Sequence, residues 1–102
     1  MPYIAVSSRI KLDKAIDPLI ESIIAEAVDS GDELSAVGLL NYSITRLILT
    51  VFHDVFPRKY WRFPLAKGLL VDIGDELQDR VQRDYEDGKK EKNGDLAEFE
   101  EF

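Results

Sequence analysis

Residues 34–55 read LSAVGLLNYSITRLILTVFHDV, and this segment decides the fold. Its apolar residues recur at three- and four-residue spacing for about six turns of a helix. This spacing predicts a long α-helix that opens at Asp32 or Glu33 and ends before Pro57, because proline cannot continue a helix. The residues on this apolar face are Leu34, Val37, Leu40, Ile44, Leu47, Ile48, Val51, Phe52 and Val55.

Two more helices are predicted on either side of this segment. Asp17 can cap a helix that has Pro18 at its first position, and Gly31 is typical of a helix end, so a shorter first helix is expected over 17–30. Pro64 opens the third predicted helix, which runs to Asp87-Gly88. Before the first helix, residues 1–8 are expected to lie extended and residues 8–16 to form a short helical turn. Tyr3 and Ile4 would anchor the extended segment.

These elements predict an all-α fold, a small bundle of about three helices. Two long antiparallel helices, the second and third, would be braced by the shorter first one, because short connections make neighbouring helices antiparallel. The expected helical domain covers residues 1–88, and residues 89–102 form an acidic tail that is flexible or docks on the domain. Residues 86–102 carry seven acids against three lysines, which supplies −4 of the net charge of −7.

Composition excludes several classes of function. The chain has 102 residues and no cysteine, which excludes disulfides and zinc–thiolate sites. A net charge of −7 argues against non-specific nucleic-acid binding, which needs a cationic face. No uninterrupted apolar run approaches the roughly 18 residues of a membrane span, and a cytoplasmic protein is expected.

No catalytic set can be recognised from spacing. The single histidine, His53, lies near a predicted helix C-terminus, where the helix dipole favours it. Four carboxylates of the third helix share one face, a pattern that either binds a divalent cation or forms an ordinary solvated surface. The solvated surface is the favoured interpretation, so no enzyme activity, cofactor or metal site is predicted. The four carboxylates belong to Asp72, Asp75, Glu76 and Asp79.

The first candidate site is a polar face of the second helix. Asn41 and Thr45 are four residues apart, as are Tyr42 and Arg46, so each pair shares a helix face. In the structural interpretation these groups hydrogen-bond the N-terminal segment or the third helix. In the functional interpretation they form a polar pocket in which Arg46 holds an anion.

The second candidate site is the basic and aromatic connection PRKYWRFP, residues 57–64. Cations that alternate with aromatic faces suit stacking and phosphate contact. The alternative is a helix–helix connection whose aromatic side chains cover the end of the core. The candidate binding residues here are Arg58, Tyr60, Trp61 and Arg62.

Three short motifs together resemble a known family. The chain begins MPYI, carries LNYSITRL at residues 40–47, and ends with YED at 85–87 and NGDL at 93–96. It resembles a family of short, functionally uncharacterised phage and bacterial proteins that begin MPYI, carry an LNYxITxL core and end near YED…NGDV. This sequence departs from the pattern in extra residues at 36–39 and in an appended tail at 97–102. Besides Asn41–Arg46, the resemblance implies these residues as candidates: Tyr85, Glu86, Asp87, Asn93 and Asp95.

The leading hypothesis is a non-enzymatic, homo-oligomeric interaction protein that binds a protein partner or itself through helical faces, since a short chain gains core by association. The resemblance adds a phage setting, and with it the host cytoplasm. The alternative is a module that sequesters a nucleotide or other anionic ligand through Arg46, Tyr60, Trp61 and Arg62.

Overall fold

A computed structural model describes residues 4–101, which fall into two compact units, 4–62 and 63–101. All regular secondary structure in the described range is helical, as predicted. The elements are α1 (Val6–Ser30), α2 (Ser35–Val55), α3 (Lys59–Leu77), a π-helical turn (Gln78–Gln82), α4 (Arg83–Asn93) and α5 (Ala97–Glu101). The three-helix arrangement of the sequence analysis stays a prediction.

The first helix is longer than predicted. α1 begins at Val6 and has 25 residues, so Pro18 lies inside it and does not open it. Residues 6–8 are therefore helical, which corrects the expectation of an extended segment there, and residues 1–3, with the expected anchor Tyr3, lie outside the described part. The helical turn expected over residues 8–16 is part of α1. Residues 6–16 are too mixed in polarity to give an apolar stripe that continues into the predicted helix, so Pro18 resembles a start signal.

The turn between α1 and α2 has Gly31 at the end of α1, as predicted, but α2 begins at Ser35 and not at Asp32 or Glu33. Gly31 has φ 73°, a left-handed conformation that glycine adopts without steric cost, and its N–H bonds the carbonyl of Val28 at 3.1 Å. Ser30 Oγ lies 2.8 Å from Ser35 Oγ across the turn, and Asp32 Oδ1 accepts the N–H of Leu34 at 3.0 Å. The two helices contact each other, so residues 6–55 form an antiparallel helical hairpin, called the hairpin below.

The boundaries of α3 and α4 differ from the predicted third helix. Helical structure begins at Lys59, so most of the PRKYWRFP segment is not a connection, and Pro64 is the sixth residue of α3. Gly88 does not end the helix either: α4 continues to Asn93 and ends at Gly94, which has φ 83°. The Asn93-Gly94 turn signal was therefore the stop, while the predicted boundary between domain and tail at residues 88 and 89 falls inside α4.

Carboxylates of this region pair along one helix. Arg80 Nε lies 2.7 Å from Glu76 Oε2, and Arg83 Nη2 lies 3.1 Å from Asp79 Oδ1, both at i,i+4 spacing. Such exposed pairs stabilise a helix by about 0.3–0.5 kcal/mol each. Among residues 4–101, no group of three or more His, Asp or Glu side chains is placed to hold a metal ion.

Candidate functional site

The hairpin leaves most of its apolar surface in contact with solvent. None of the described residues is buried. In α1 only Ile23 and Ala27 are half-buried. Six residues of α2 are half-buried: Ser35, Ala36, Leu39, Ser43, Ile48 and Phe52. Two helices that contact each other along one line leave the rest of their apolar faces uncovered. Most of the predicted apolar face of the second helix is therefore exposed, while Ile48 and Phe52 of that face are half-buried.

This surface runs the length of α2. Its residues follow at intervals of three or four, the spacing of one helix face, and their exposed fractions range from 40% to 66%. Contiguous exposed apolar patches of this kind usually mark interaction sites. The residues, called the α2 stripe below, are Val37, Leu40, Ile44, Leu47, Val51 and Val55.

An open groove of about 560 Å³ lies beside the stripe, near the turn of the hairpin. Ile20, Ile24 and Val28, one helical turn apart on α1, face Ala36 and Leu40 across it. Val28 is 72% and Ile24 57% exposed. The carboxylate residues Asp32 and Glu33 also line the groove, at its turn end.

The first predicted site, on α2, has the pairing that the spacing predicts. Thr45 Oγ1 donates to Asn41 Oδ1 at 3.2 Å, and the Arg46 guanidinium lies 6.0 Å from the centroid of the Tyr42 ring. In the described residues these groups therefore find their partners within α2, not in the N-terminal segment or the third helix. Tyr42 and Arg46 line a second open groove, of about 360 Å³, together with Leu19 of α1.

The second predicted site lies at the start of α3. The Arg58 guanidinium stacks 4.8 Å from the Trp61 ring centroid, and Tyr60 meets Trp61 edge-on at 5.8 Å. Arg62 turns back to α2: its Nε donates to the carbonyl of Phe56 at 2.8 Å and its Nη2 to that of His53 at 3.2 Å. The Arg62 guanidinium is therefore engaged by the end of α2, while Trp61 stays 41% exposed.

The two sites do not share a groove. The groove that contains Arg46 is lined by residues of α1 and α2 only, and none of Arg58, Tyr60, Trp61 and Arg62 contributes to it. The anion site expected from these residues together is therefore not assembled in the hairpin.

Residues implied by the family resemblance lie together in the second unit. Glu86, Asp87 and Asp95 line an open groove of about 450 Å³ with Arg83 and Lys90. Asp87 Oδ1 lies 3.6 Å from Lys90 Nζ. The backbone N–H of Leu96 donates to Asp95 Oδ1 at 2.8 Å. These carboxylates thus have local partners, and the groove carries mixed charge.

Tyr85 and Asn93, also implied by the resemblance, do not line this groove. The Tyr85 ring lies 5.6 Å from Lys89 Nζ, a cation–π distance, and the side chain is 66% exposed. Asn93 is the last residue of α4, next to the turn at Gly94.

The histidine has one neighbouring acid. His53 Nδ1 lies 3.0 Å from Asp54 Oδ1, and both side chains are exposed, by 73% and 69%. An exposed pair of adjacent residues lacks the desolvated surroundings that tune a catalytic acid or base.

The apolar residues of α2 are predicted from the sequence as one helix face, and association through helical faces is the leading hypothesis. The sequence does not show which of these residues the packing within one chain leaves exposed. The signal that could have revealed a surface was the first helix: its apolar residues cover one side only, and a two-helix contact buries little.

By length and composition alone, α2 is also long and apolar enough to cross a membrane, with a mean hydropathy of 1.4 over 18 residues. The sequence predicts no such segment, because polar residues interrupt the apolar run. Arg46 lies in the middle of α2, where a charge costs about 2.5–3.5 kcal/mol on insertion scales.

Residues 1–96 match one family model, which describes a domain of unknown function. The match ends before residues 97–102, the segment that the motif comparison treats as appended. No curated protein and no solved structure matches the chain.

Proposed function

The chain belongs to the DUF6899 family, and we propose that it is a non-enzymatic interaction protein that associates with itself through the α2 stripe and the adjoining groove of the hairpin. The observation that carries this proposal is the exposure of the stripe, 40% to 66% in every one of its residues. The motif resemblance supports a phage or bacterial setting for this role and a cytoplasmic location.

The energetic reason is the cost of leaving such a surface in water. Complete burial of one Val, Leu or Ile side chain is worth about 1.5–3 kcal/mol. Roughly half of the surface of each stripe residue is still exposed. Burying all six in an interface would therefore contribute several kcal/mol to the free energy of association. Against this stands the cost of association itself, about 4–15 kcal/mol. The groove residues Ile20, Ile24 and Val28 are therefore needed as part of the same contact.

A pair of matched substitutions on α2 tests the proposal. Ile44 is 40% exposed and belongs to the stripe, whereas Leu49 is 66% exposed and lies five residues on, on the opposite side of the helix. We expect Ile44→Glu to dissociate the oligomer and Leu49→Glu to leave it intact, as measured by light scattering on the full chain. Equal effects of the two substitutions would contradict a contact through the stripe.

A second candidate function is the binding of a small anionic ligand, favoured by one observation. Arg46 and Tyr42 lie in an open groove of about 360 Å³, and Arg46 has no carboxylate partner among the described residues. A thermal-shift screen with nucleotides separates the two functions. A ligand at 100 times its dissociation constant adds about 2.7 kcal/mol of stability. A shift that Arg46→Ala abolishes would support ligand binding, and no shift across the panel would remove this candidate.

A further inference from the structure

Charge is divided between the two ends of the first compact unit, described residues 4–62, which contains the hairpin. The half nearer the turn, residues 18–45, has no lysine or arginine and five acids, Glu21, Glu26, Asp29, Asp32 and Glu33. The other half consists of residues 4–17 and 46–62 and has seven lysines and arginines against three acids, a net charge of +4. Three of these seven cations, Arg58, Lys59 and Arg62, follow the end of α2 at Val55. We call these halves the tip half and the open half.

Within the hairpin these charges remain unpaired. In the described residues 4–62, no lysine or arginine forms an ion pair with an acid, and His53–Asp54 is the sole contact of that kind. The ion pairs of lysine and arginine in the described chain lie in residues 76–90, where opposite charges follow each other at helical spacing. In the described residues 4–62, by contrast, no such pair forms even where opposite charges stand at helical spacing, as at Lys14 and Asp17.

The division of charge is aligned with the apolar surface. Glu33 lines the turn end of the 560 Å³ groove, and the α2 stripe continues from Leu40 toward the open half as far as Val55. On the open half, Arg46 lines a groove together with Leu47 and Val51 of the stripe. A partner that covers the groove and the stripe therefore meets acids at the turn end and Arg46 toward the other end.

We propose that this partner is a second copy of the chain, docked face to face and antiparallel, so that the tip half of each hairpin lies on the open half of the other. This inference rests on the proposed self-association and adds its orientation. A two-fold axis that crosses α1 and α2 at right angles near their midpoints reverses both helices and brings each onto its own copy. The product is an antiparallel four-helix arrangement with the apolar surfaces inside.

Charge complementarity selects this orientation. The antiparallel pair places −5 against +4 twice, whereas the parallel pair places like charges together at both ends. Like-charge contact across an interface costs several kcal/mol, and complementary charge mainly sets orientation and association rate. Lys14 and Glu21 illustrate this complementarity. Lys14 lies four residues before Pro18, the central residue of α1, and Glu21 lies three residues after it. The two-fold axis therefore brings Lys14 of one chain close to Glu21 of the other.

A membrane surface fits the same face less well. The tip half carries five carboxylates and no cation, and anionic lipid headgroups would repel it. Vesicles that contain phosphatidylserine therefore provide a competing outcome in the test: sedimentation of the full chain with such vesicles, with the stripe required, would overturn the choice of a second copy.

Two charge-reversed variants of the full chain test the orientation. Glu21→Lys with Glu33→Lys reverses charge in the tip half, and Lys11→Glu with Lys14→Glu reverses it in the open half. None of these four side chains makes a hydrogen bond or ion pair in the described structure, so neither variant removes a contact within one chain. Circular dichroism checks that both remain helical.

We expect each variant alone to have a homodimer dissociation constant raised about tenfold at low salt, and an equimolar mixture to recover the wild-type constant as a heterodimer. If both variants dimerise as tightly as the wild type, or the mixture gains nothing, the antiparallel orientation is wrong while self-association stands. A wild-type chain that is monomeric would remove the proposed function as well. If a variant unfolds, the dissociation constant of the wild-type dimer is measured at increasing salt concentration instead. A dissociation constant that rises with salt supports the antiparallel orientation, and one that is independent of salt contradicts it.

Discussion

Arg62 closes the C-terminal end of α2 by donating from Nε to the carbonyl oxygen of Phe56 at 2.8 Å. Its Nη2 also donates to the carbonyl of His53 at 3.2 Å. The last carbonyl groups of a helix have no partner within it, and a cation there also meets the negative end of the helix dipole. Arg62, a candidate ligand-binding residue in the sequence analysis, therefore has a structural role in the hairpin.

Removal of this side chain should destabilise the protein. Hydrogen bonds to charged groups contribute about 1.5–3 kcal/mol, and the half-exposed position of Arg62 lowers the expected loss for Arg62→Ala to about 1–2 kcal/mol. Arg58→Ala is the matched control, because it removes the same charge but only a stacking contact worth about 0.5–1 kcal/mol. Urea unfolding at one fixed protein concentration measures both. A loss for Arg62→Ala no larger than for Arg58→Ala would contradict the capping role.

Two glycines should respond to alanine in opposite directions. Gly31 has φ 73°, which costs an L-residue about 1–2 kcal/mol, so Gly31→Ala should lower stability by that amount. Gly38 lies inside α2 with a helical backbone, and a Cβ there meets nothing within 4 Å, so Gly38→Ala should raise stability by about 0.5–1 kcal/mol. Thermal unfolding of the two variants beside the wild type measures the difference. A Gly31→Ala variant as stable as the wild type would contradict the left-handed turn, and a loss of stability for Gly38→Ala would contradict the open surroundings of Gly38.

The absence of cysteine allows a direct test of which face of α2 meets the partner. In the antiparallel pair Ile44 lies near the two-fold axis and faces its own counterpart. We therefore expect Ile44→Cys to form a disulfide-linked dimer on mild oxidation, because bridged cysteines need Cα atoms about 4.4–6.8 Å apart.

Leu49→Cys is the control for this experiment, since Leu49 lies on the other side of α2 and is more exposed, 66% against 40%. Non-reducing gel electrophoresis at equal times of oxidation compares the two. Cross-linking that is faster at residue 49 than at residue 44 would count against the stripe as the contact face.

Sequence patterns predicted the parts of this fold that rest on strong local signals. The end of α2 at Val55, the left-handed turn at Gly31 and the turn at Asn93-Gly94 follow from apolar spacing, from proline and from glycine. The continuation of α1 through Pro18 and of α3 through Pro64 is not predicted, because proline favours a helix boundary in segments whose polar residues give no stripe. In both places the neighbouring turns continue the helix despite one lost hydrogen bond.

The candidate site was less predictable, since it depends on which faces remain uncovered. Spacing placed Asn41 beside Thr45 and Tyr42 beside Arg46, as i,i+4 pairs must be. It could not show that Arg62 folds back onto α2, a contact across residues 53–62. Nor could it show that the apolar face of α2 is a surface, because an apolar stripe looks the same whether its own chain or another covers it.

The central claim is that the hairpin's exposed apolar surface is covered by a second copy of the chain. Sedimentation equilibrium of the full chain across the micromolar range tests it most directly, since it measures mass without assumptions about shape. We predict a mass that rises with concentration from 11.6 kDa toward twice that value, and that fails to rise for Ile44→Glu. A helical, stable chain that stays at 11.6 kDa throughout would contradict the claim.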